Sequence, residues 1–124
     1  YNPTSILMSH AISSAIDNGV PACLSKVWIT DILRNEYNYK GIIFSDDIFM
    51  AALAKNGYPP EKAAVMAIEA GVDCIMISEK RIAKSAKIIY EKALEDQSFK
   101  NRIDESVQRI LEYKIKTGLF DYEE

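Results

Sequence analysis

Three short apolar runs stand out along the chain: ILMS at residues 6–9, GIIFS at residues 41–45 and VDCIMIS at residues 72–78. They do not show the strict alternation of apolar and polar residues that is typical of a strand with one solvated face. Continuous aliphatic runs of this length are typical of strands buried on both faces of a parallel sheet. The pattern therefore predicts three such strands.

The segments after these runs have apolar residues at helical spacing. Helices are predicted over residues 24–37, 61–71, 81–96 and 102–118. Their predicted apolar faces comprise Ile29, Ile32 and Leu33; Ala64, Ala67 and Ile68; Ile82, Ala86, Ile89 and Ala93; and Ile103, Val107, Ile110 and Leu111. Strands that alternate with helices predict an α/β fold with parallel strands and right-handed connections.

The predicted helix ends carry residues that suit them. Ser25 can cap the first helix, and Pro60 suits the first turn of the second, which Gly71 can end in a left-handed conformation. Asp104 is predicted to cap the last helix, and Gly118 is predicted to end it in a Schellman motif.

Three βα units are too few for a complete barrel, since a (β/α)₈ barrel needs about 250 residues. A complete doubly wound domain would need about five strands. The sequence has no initiator Met, and its first apolar segment begins almost at once, so we expect residues 1–124 to be a single fragment of a larger barrel. Its open sheet edges would need either self-association or the rest of the barrel.

Composition narrows the class of protein further. Hydrophobic residues make up 48% and charged residues 27%, which is typical of a globular chain with a buried core. The net charge of -3, without a basic stripe, argues against nucleic-acid binding, and no apolar run approaches the roughly 20 residues that span a bilayer. Cys23 and Cys74 lack metal-ligand spacing and are predicted to be reduced thiols, with Cys74 buried. Nothing indicates a compartment.

Candidate chemistry lies where the predicted strands end, because active sites of parallel α/β folds gather at the carboxyl ends of the strands. His10 follows the first strand, Asp46 and Asp47 follow the second, and Ser78 with Glu79 follows the third. Asp46 is the best candidate for a reacting carboxylate, whereas Asp47 is well placed to cap the next turn. On the residues alone, a capping or solvated-loop role for Asp46 and a scaffolding role for His10 stay open.

The methionines and two of the serines give no further indication of catalysis. The methionines are predicted to lie in the core: Met8, Met50, Met66 and Met76. Ser9 and Ser45 have no adjacent histidine base at recognisable spacing, which disfavours a serine hydrolase.

Four segments together resemble, in order, the last part of the catalytic barrel of family 3 glycoside hydrolases: ILMSHA, GVPACLSKVWITDILRNEYNYKGIIFSDDIFMAAL, AVMAIEAGVDCIMIS and RIDESVQRILEYKIKTGLF. The SDD-x-x-M form at residues 45–50 is similar to the β-N-acetylhexosaminidase branch, whereas the β-glucosidase branch usually has Ser-Asp-Trp there. The resemblance covers nearly the whole chain. It implies a partial TIM barrel made of the last three βα units plus the C-terminal helix.

The resemblance also implies an activity. It implies a retaining hydrolase of terminal β-linked N-acetylglucosamine or a related sugar, with Asp46 as the nucleophile that forms a covalent glycosyl-enzyme. It further gives His10, Ser45 and Met50 substrate-lining roles and requires no cofactor or metal. The family's acid/base, a histidine paired with an aspartate, would precede Tyr1, so we expect the 124 residues alone to be inactive.

Two alternatives from other classes stay open. A non-catalytic half-barrel could pair its exposed edges with a second copy. A phosphoacceptor receiver domain fits the length and the acidic pair, but that pair should follow the first strand and here follows the second.

Overall fold

The computed structural model describes residues 2–78 and 82–120. Two strands, β1 (Ser5–Met8) and β2 (Ile42–Ser45), pair in parallel, with Ser5 opposite Ile42 and Met8 opposite Ser45. Helices surround this pair, so the α/β fold with parallel strands is confirmed. Within the described residues β1 has no second neighbour, and Leu7 is half exposed at that edge. That the chain forms the last three units of a barrel stays a prediction.

The prediction of a regular third strand over residues 72–78 is wrong. One parallel bridge joins Phe44 to Cys74, and the segment then runs beside β2 through the Ser45 N–H to Cys74 carbonyl bond of 2.9 Å. Side-chain oxygens occupy ladder positions on both sides of this bridge. The Asp73 carboxylate accepts the Ile43 N–H at 2.9 Å, and the Ser45 hydroxyl accepts the Met76 N–H at 3.0 Å. Residues 72–78 are therefore extended without a continuous backbone ladder, and we call them the third segment.

Four helices lie close to their predicted places, whereas the 3₁₀ turn and α1 were not predicted. In chain order they are a 3₁₀ turn (Ala22–Leu24), a π-helix (Val27–Glu36), α1 (Ala51–Lys55), α2 (Pro60–Ala70), α3 (Ile82–Glu95) and α4 (Gln97–Lys116). The π-helix ends with a hydrogen bond from the Tyr37 N–H to the Ile32 carbonyl, five residues earlier.

Four predicted helix ends are confirmed. The Ser25 hydroxyl accepts the Trp28 N–H at 3.1 Å, and Pro60 opens α2, which ends at Gly71 with φ of +117°. Gly118 adopts φ of +73° after α4 and donates its N–H to the Ile115 carbonyl. The next N–H bonds the Lys114 carbonyl at 2.9 Å, which completes the Schellman motif.

The predicted start of the last helix is wrong. Helix α4 begins at Gln97, and Asp96 caps it by accepting the N–H groups of Ser98 and Phe99 at 2.9 and 3.0 Å. Asp104 lies inside the helix and pairs with Lys100 at 2.6 Å. Residues 97–101 are thus the first turns of the helix.

The predicted apolar faces of α3 and α4 are also partly wrong. Ile82 is 65% exposed, and the buried residue of α3 is Ser85. Val107 and Leu111 are exposed, whereas Ser106 is buried. The buried face of α4 differs from the predicted one because it carries polar residues that contact the buried carboxylate of Asp73 in the third segment.

The core lies between the strands and α2. Its fully buried large side chains include Ile29, Ile43, Ile48, Leu53 and Val72. The α2 face is lined by alanines, so the π-helix approaches closely, and the Thr30 hydroxyl bonds the Ala70 carbonyl at 2.8 Å. Within residues 2–78 and 82–120, no helix is long and apolar enough to cross a membrane.

Two predictions about sulfur-containing residues need correction. Met8 is buried as expected, but Met50 and Met76 are 44% and 41% exposed because they follow the strand ends. Cys23 and Cys74 are free thiols, yet Cys23 is the fully buried one and Cys74 is only half buried. The 3₁₀ turn places Cys23 beneath the strand ends.

Candidate active site

The carboxyl ends of β1 and β2 lie at one edge of the sheet. Met8 and Ser45 are register partners, and the Asp46 N–H extends the pairing by one residue through its bond to the Met8 carbonyl at 2.9 Å. This places Asp46 beside His10, with 4.0 Å between Oδ2 of the aspartate and Nε2 of the histidine. Two of the candidate residues therefore meet at the expected edge.

The Asp46 side chain is partly open to solvent and does not cap a helix. It is 31% exposed, and its Oδ1 accepts the N–H of the next residue, Asp47, at 2.8 Å. Because that bond uses only Oδ1, the second oxygen stays available on the histidine side. The helix-capping alternative for Asp46 does not hold in this structure.

Asp47 performs the capping instead. Its Oδ1 accepts the N–H groups of Phe49 at 3.0 Å and Ser78 at 3.2 Å, so it joins the turn after β2 to the third segment. Burial raises the pKa of Asp47, but the hydrogen bonds from Ser78 and Phe49 outweigh burial and lower that pKa overall. The carboxylate stays ionised and holds the loop that carries Asp46.

Both ring nitrogens of His10 are engaged. Nε2 lies 2.9 Å from the Asp47 carbonyl, and a carbonyl only accepts, so Nε2 donates. Nδ1 lies 3.1 Å from Sγ of Cys23. Burial, followed by the nearby charge of Asp46, raises the pKa of the Cys23 thiol to about 11, so the thiol keeps its proton at neutral pH and donates it to Nδ1. His10 thus orients the loop of the two aspartates.

The other predicted lining residues differ in position. Ser45 is fully buried, and its hydroxyl bonds the third segment, so it lies beneath Asp46. Met50 is exposed on the loop after Asp46, and its N–H bonds the Asp47 carbonyl at 3.2 Å. Ser78 is the last residue of the third segment and bonds Asp47 at the same edge, and Glu79 lies outside the described residues. The substrate contacts of His10, Ser45 and Met50 stay predictions.

One functional neighbour was missed from the sequence. Cys23 precedes Leu24 in a 3₁₀ turn, thirteen residues from His10, and no spacing rule connects the two. Its only sequence signal is a thiol beside a proline-containing loop, which is weak. In the described parts of the chain, no group of three His, Cys, Asp or Glu side chains is arranged to hold a metal.

This arrangement can supply one carboxylate to a reacting centre. Retaining displacement of a sugar needs a second acid/base group about 5–5.5 Å from the nucleophile. The nearby histidine already donates its Nε2 proton to a carbonyl, so it is poorly placed to protonate a leaving group. The geometry thus fits half of a two-residue mechanism.

The chain is similar in sequence to known glycosyl hydrolases. The profile of the glycosyl hydrolase family 3 N terminal domain matches residues 2–113. A beta-hexosaminidase from Alkalilimnicola ehrlichii is 43% identical over 72 residues, which are 58% of this chain and 20% of that protein. A beta-xylosidase from Formosa agariphila is 32% identical over 110 residues, which are 84% of this chain and 15% of that protein.

The chain is also similar in structure to a solved glycosidase. The beta-N-acetylhexosaminidase from Beutenbergia cavernae superposes with a TM-score of 0.82 at 29% identity, over 90% of this chain and 33% of that one. The chain spans about a fifth of the length of the curated beta-hexosaminidases it matches. Because the profile covers nearly the whole sequence, the chain belongs to the glycosyl hydrolase family 3 N terminal domain family.

Proposed function

We propose that this chain supplies the nucleophile of a retaining glycoside hydrolase that cleaves terminal β-linked N-acetylglucosamine or a related sugar. The observation that carries the proposal is that the two aspartates of the acidic pair make different hydrogen bonds. The Asp47 carboxylate accepts hydrogen bonds from the backbone N–H groups of Phe49 and Ser78. The Asp46 carboxylate, at the carboxyl end of β2, accepts a backbone N–H through Oδ1 only, so its Oδ2 is available to a substrate. The names of its beta-hexosaminidase relatives support the sugar class.

The chemistry then follows from the position of Asp46. Oδ1 is oriented by the Asp47 N–H, and Oδ2 attacks the anomeric carbon as the bond to the leaving oxygen breaks. The product is a glycosyl-aspartate ester, which water hydrolyses in a second displacement with net retention. No metal or redox group takes part in either displacement.

A second group must protonate the leaving oxygen. We assign this role to residues beyond this chain, in the part of the barrel that completes the site, because the His10 proton on Nε2 is directed at the Asp47 carbonyl. Ordinary glycosides should therefore be hydrolysed only when that part is present. The placement of this chain as the last three βα units is part of the same proposal.

An activated substrate tests the nucleophile without the acid. 2,4-Dinitrophenyl N-acetyl-β-glucosaminide releases a stable phenolate, so its cleavage needs little general-acid assistance. We expect a slow burst of dinitrophenolate and an intact-mass increase of one N-acetylglucosaminyl group, with the adduct on the peptide that contains Asp46. Asp46→Ala should abolish both signals.

The matched control is Asp47→Asn, which removes the neighbouring charge but keeps an oxygen that can accept the Phe49 and Ser78 N–H groups. It should still form the adduct. An adduct on Asp47, or one that survives Asp46→Ala, contradicts the assignment. So does an unaltered kcat for Asp46→Ala in a protein that contains the complete barrel.

The sequence left two alternative functions open, a phosphoacceptor receiver domain and a half-barrel assembly module. Membership of the glycosidase family displaces the phosphoacceptor interpretation. The half-barrel assembly module stays an untested prediction, which the size of the chain in solution would address.

A further inference from the structure

A groove lies between the π-helix and α4, and neither Asp46 nor Asp47 lines it. Its volume is about 610 Å³, and the residues lining it include Arg34, Tyr39, Lys40, Phe99, Arg102 and Arg109. Sites for small molecules typically have volumes of roughly 300–1,000 Å³.

One buried carboxylate lies behind this groove and faces three guanidinium groups. The Asp73 side chain has no exposed surface. It accepts hydrogen bonds from Arg34 at 2.7 Å, from Arg102 at 3.3 Å and from Arg109. Three positive charges therefore surround a single negative charge, and part of the positive charge at this wall is left uncompensated.

The environment of Arg34 reflects that excess. Burial lowers the pKa of Arg34, Asp73 raises it, and the charges of Arg109 and Arg102 lower it again. The arginines repel each other at close range, and a further anion beside them would offset that repulsion. Arg102 has such an anion already, since its Nη1 pairs with Glu105 at 3.4 Å.

Arg109 and Lys40 have unused hydrogen-bond donors. Arg34 uses Nη1 on the carbonyls of Tyr39 and Gly41 and Nη2 on Asp73. Among the described residues, Arg109 uses only Nη1, on Asp73, and Lys40 has no ion-pair partner. Both also line an adjoining cavity of about 540 Å³, so they lie where the two spaces meet.

Two of the acidic residues that line the groove, Glu69 and Asp96, lie at its other end, and a third, Glu105, pairs with Arg102. Glu69 and Asp96 share Lys92, at 3.2 and 3.6 Å, and Asp96 also caps α4. From Asp96 to Arg109 the helix rises about 20 Å, at 1.5 Å per residue. Lys40, which has no ion-pair partner among the described residues, and Arg109, which uses only Nη1 there, therefore lie together at one end of the groove.

We propose that this basic end binds the phosphate group of a small phosphorylated molecule, with Arg109 and Lys40 as its ligands. A dianion matches the excess of arginine charge better than a carboxylate, and guanidinium groups pair with phosphate through two parallel hydrogen bonds. The volume of the groove leaves space for an organic group along Tyr39. This site lies at the amino ends of the strands and does not depend on the function proposed for Asp46.

Titration calorimetry with three probes tests the proposal at constant ionic strength: inorganic phosphate, glucose 6-phosphate and glucose. Saturable binding of both phosphates and none of glucose is expected, with glucose 6-phosphate the tighter. Lys40→Gln and Arg109→Gln should each weaken binding about tenfold, as expected for the loss of one charge-assisted contact. Equal binding of the two phosphates would support the same site with free phosphate as its ligand.

Lys100→Gln is the matched control, because Lys100 lies on α4 but outside the groove and pairs only with Asp104. It should bind phosphate as the unaltered protein does. Arg109→Gln leaves Asp73 with two arginines, and Lys40 is exposed and unpaired in the described structure, so Lys40→Gln should not disturb folding. Absence of saturable phosphate binding, or equal weakening by Lys100→Gln, would overturn the proposal.

Discussion

The Cys23 thiol lies in surroundings unlike those of a solvent-exposed thiol. It is fully buried, it contacts His10, and burial together with the Asp46 charge raises its pKa from 9.0 to about 11. The folded protein therefore holds the thiol proton more tightly than the unfolded chain does. Stability that depends on this proton is complete below about pH 9 and is lost as the pH approaches 11.

Comparison of the unaltered protein with Cys23→Ser isolates this effect from the lysines and tyrosines that titrate in the same range. The free energy of unfolding of the unaltered protein should exceed that of the variant by an amount that shrinks between pH 8 and pH 11. The expected decrease is of order 2–3 kcal/mol, at about 1.4 kcal/mol per pKa unit. Urea unfolding at a series of pH values measures it, and a difference that stays constant with pH would contradict the buried-thiol assignment.

Single residues were predictable where a local rule applies. The rule that parallel strands present function at their carboxyl ends correctly placed Asp46 at the same edge as His10, and the capping role predicted for Asp47 is confirmed. The contact between His10 and Cys23 could not be predicted, because an irregular loop joins them. Asp96 was missed as a cap because it was assigned to the end of the helix predicted over residues 81–96.

At the scale of the elements, Gly71 determines how closely α2 and the π-helix approach each other. It adopts φ of +117°, which side chains rarely accept. A Cβ built there would lie 2.8 Å from Cγ2 of Ile29 and 3.0 Å from Oγ1 of Thr30. Both residues belong to the π-helix and are packed in place, so neither can move freely.

Gly71→Ala should therefore combine backbone strain with overpacking. We expect it to lower the free energy of unfolding by about 2–6 kcal/mol, from roughly 1–3 kcal/mol for each effect. Gly57→Ala is the matched control, because Gly57 has φ of +86° but open space around its Cβ position, and it should cost only about 1–2 kcal/mol. Urea denaturation compares the two, and equal losses would show that close approach to Ile29 is unimportant.

Most elements were predictable from periodicity, but α1 was not predicted, the start of α4 was placed too late and the third strand was wrong. The run at residues 72–78 is apolar enough for a strand, but Asp73 and Ser45 direct side-chain oxygens at the backbone N–H groups that a ladder would use. Hydrophobic pattern does not report such competition. The exposed apolar face of α4 was mispredicted for a similar reason, since the face that contacts the rest of the chain is polar.

At the scale of the whole molecule, Asp73 joins three parts of the fold. Its carboxylate contacts β2 through the Ile43 N–H, the π-helix through Arg34, and α4 through Ser106 and two arginines. Helix α4 buries few apolar side chains, so this polar cluster is a main contact between it and the sheet. The position of the C-terminal helix therefore depends on one buried charge.

Asp73→Asn preserves the size of the side chain and removes that charge. Three guanidinium groups would then share a partly desolvated site without a counterion, and the expected loss of stability is about 3–5 kcal/mol. Asp104→Asn, which removes an exposed charge of α4 paired with Lys100, should cost less than about 0.5 kcal/mol. Amide hydrogen exchange distinguishes local from global effects: we expect α4 to lose protection before β2 does. Stability within about 1 kcal/mol of the unaltered protein, with α4 still protected, would mean that apolar contacts alone hold the helix.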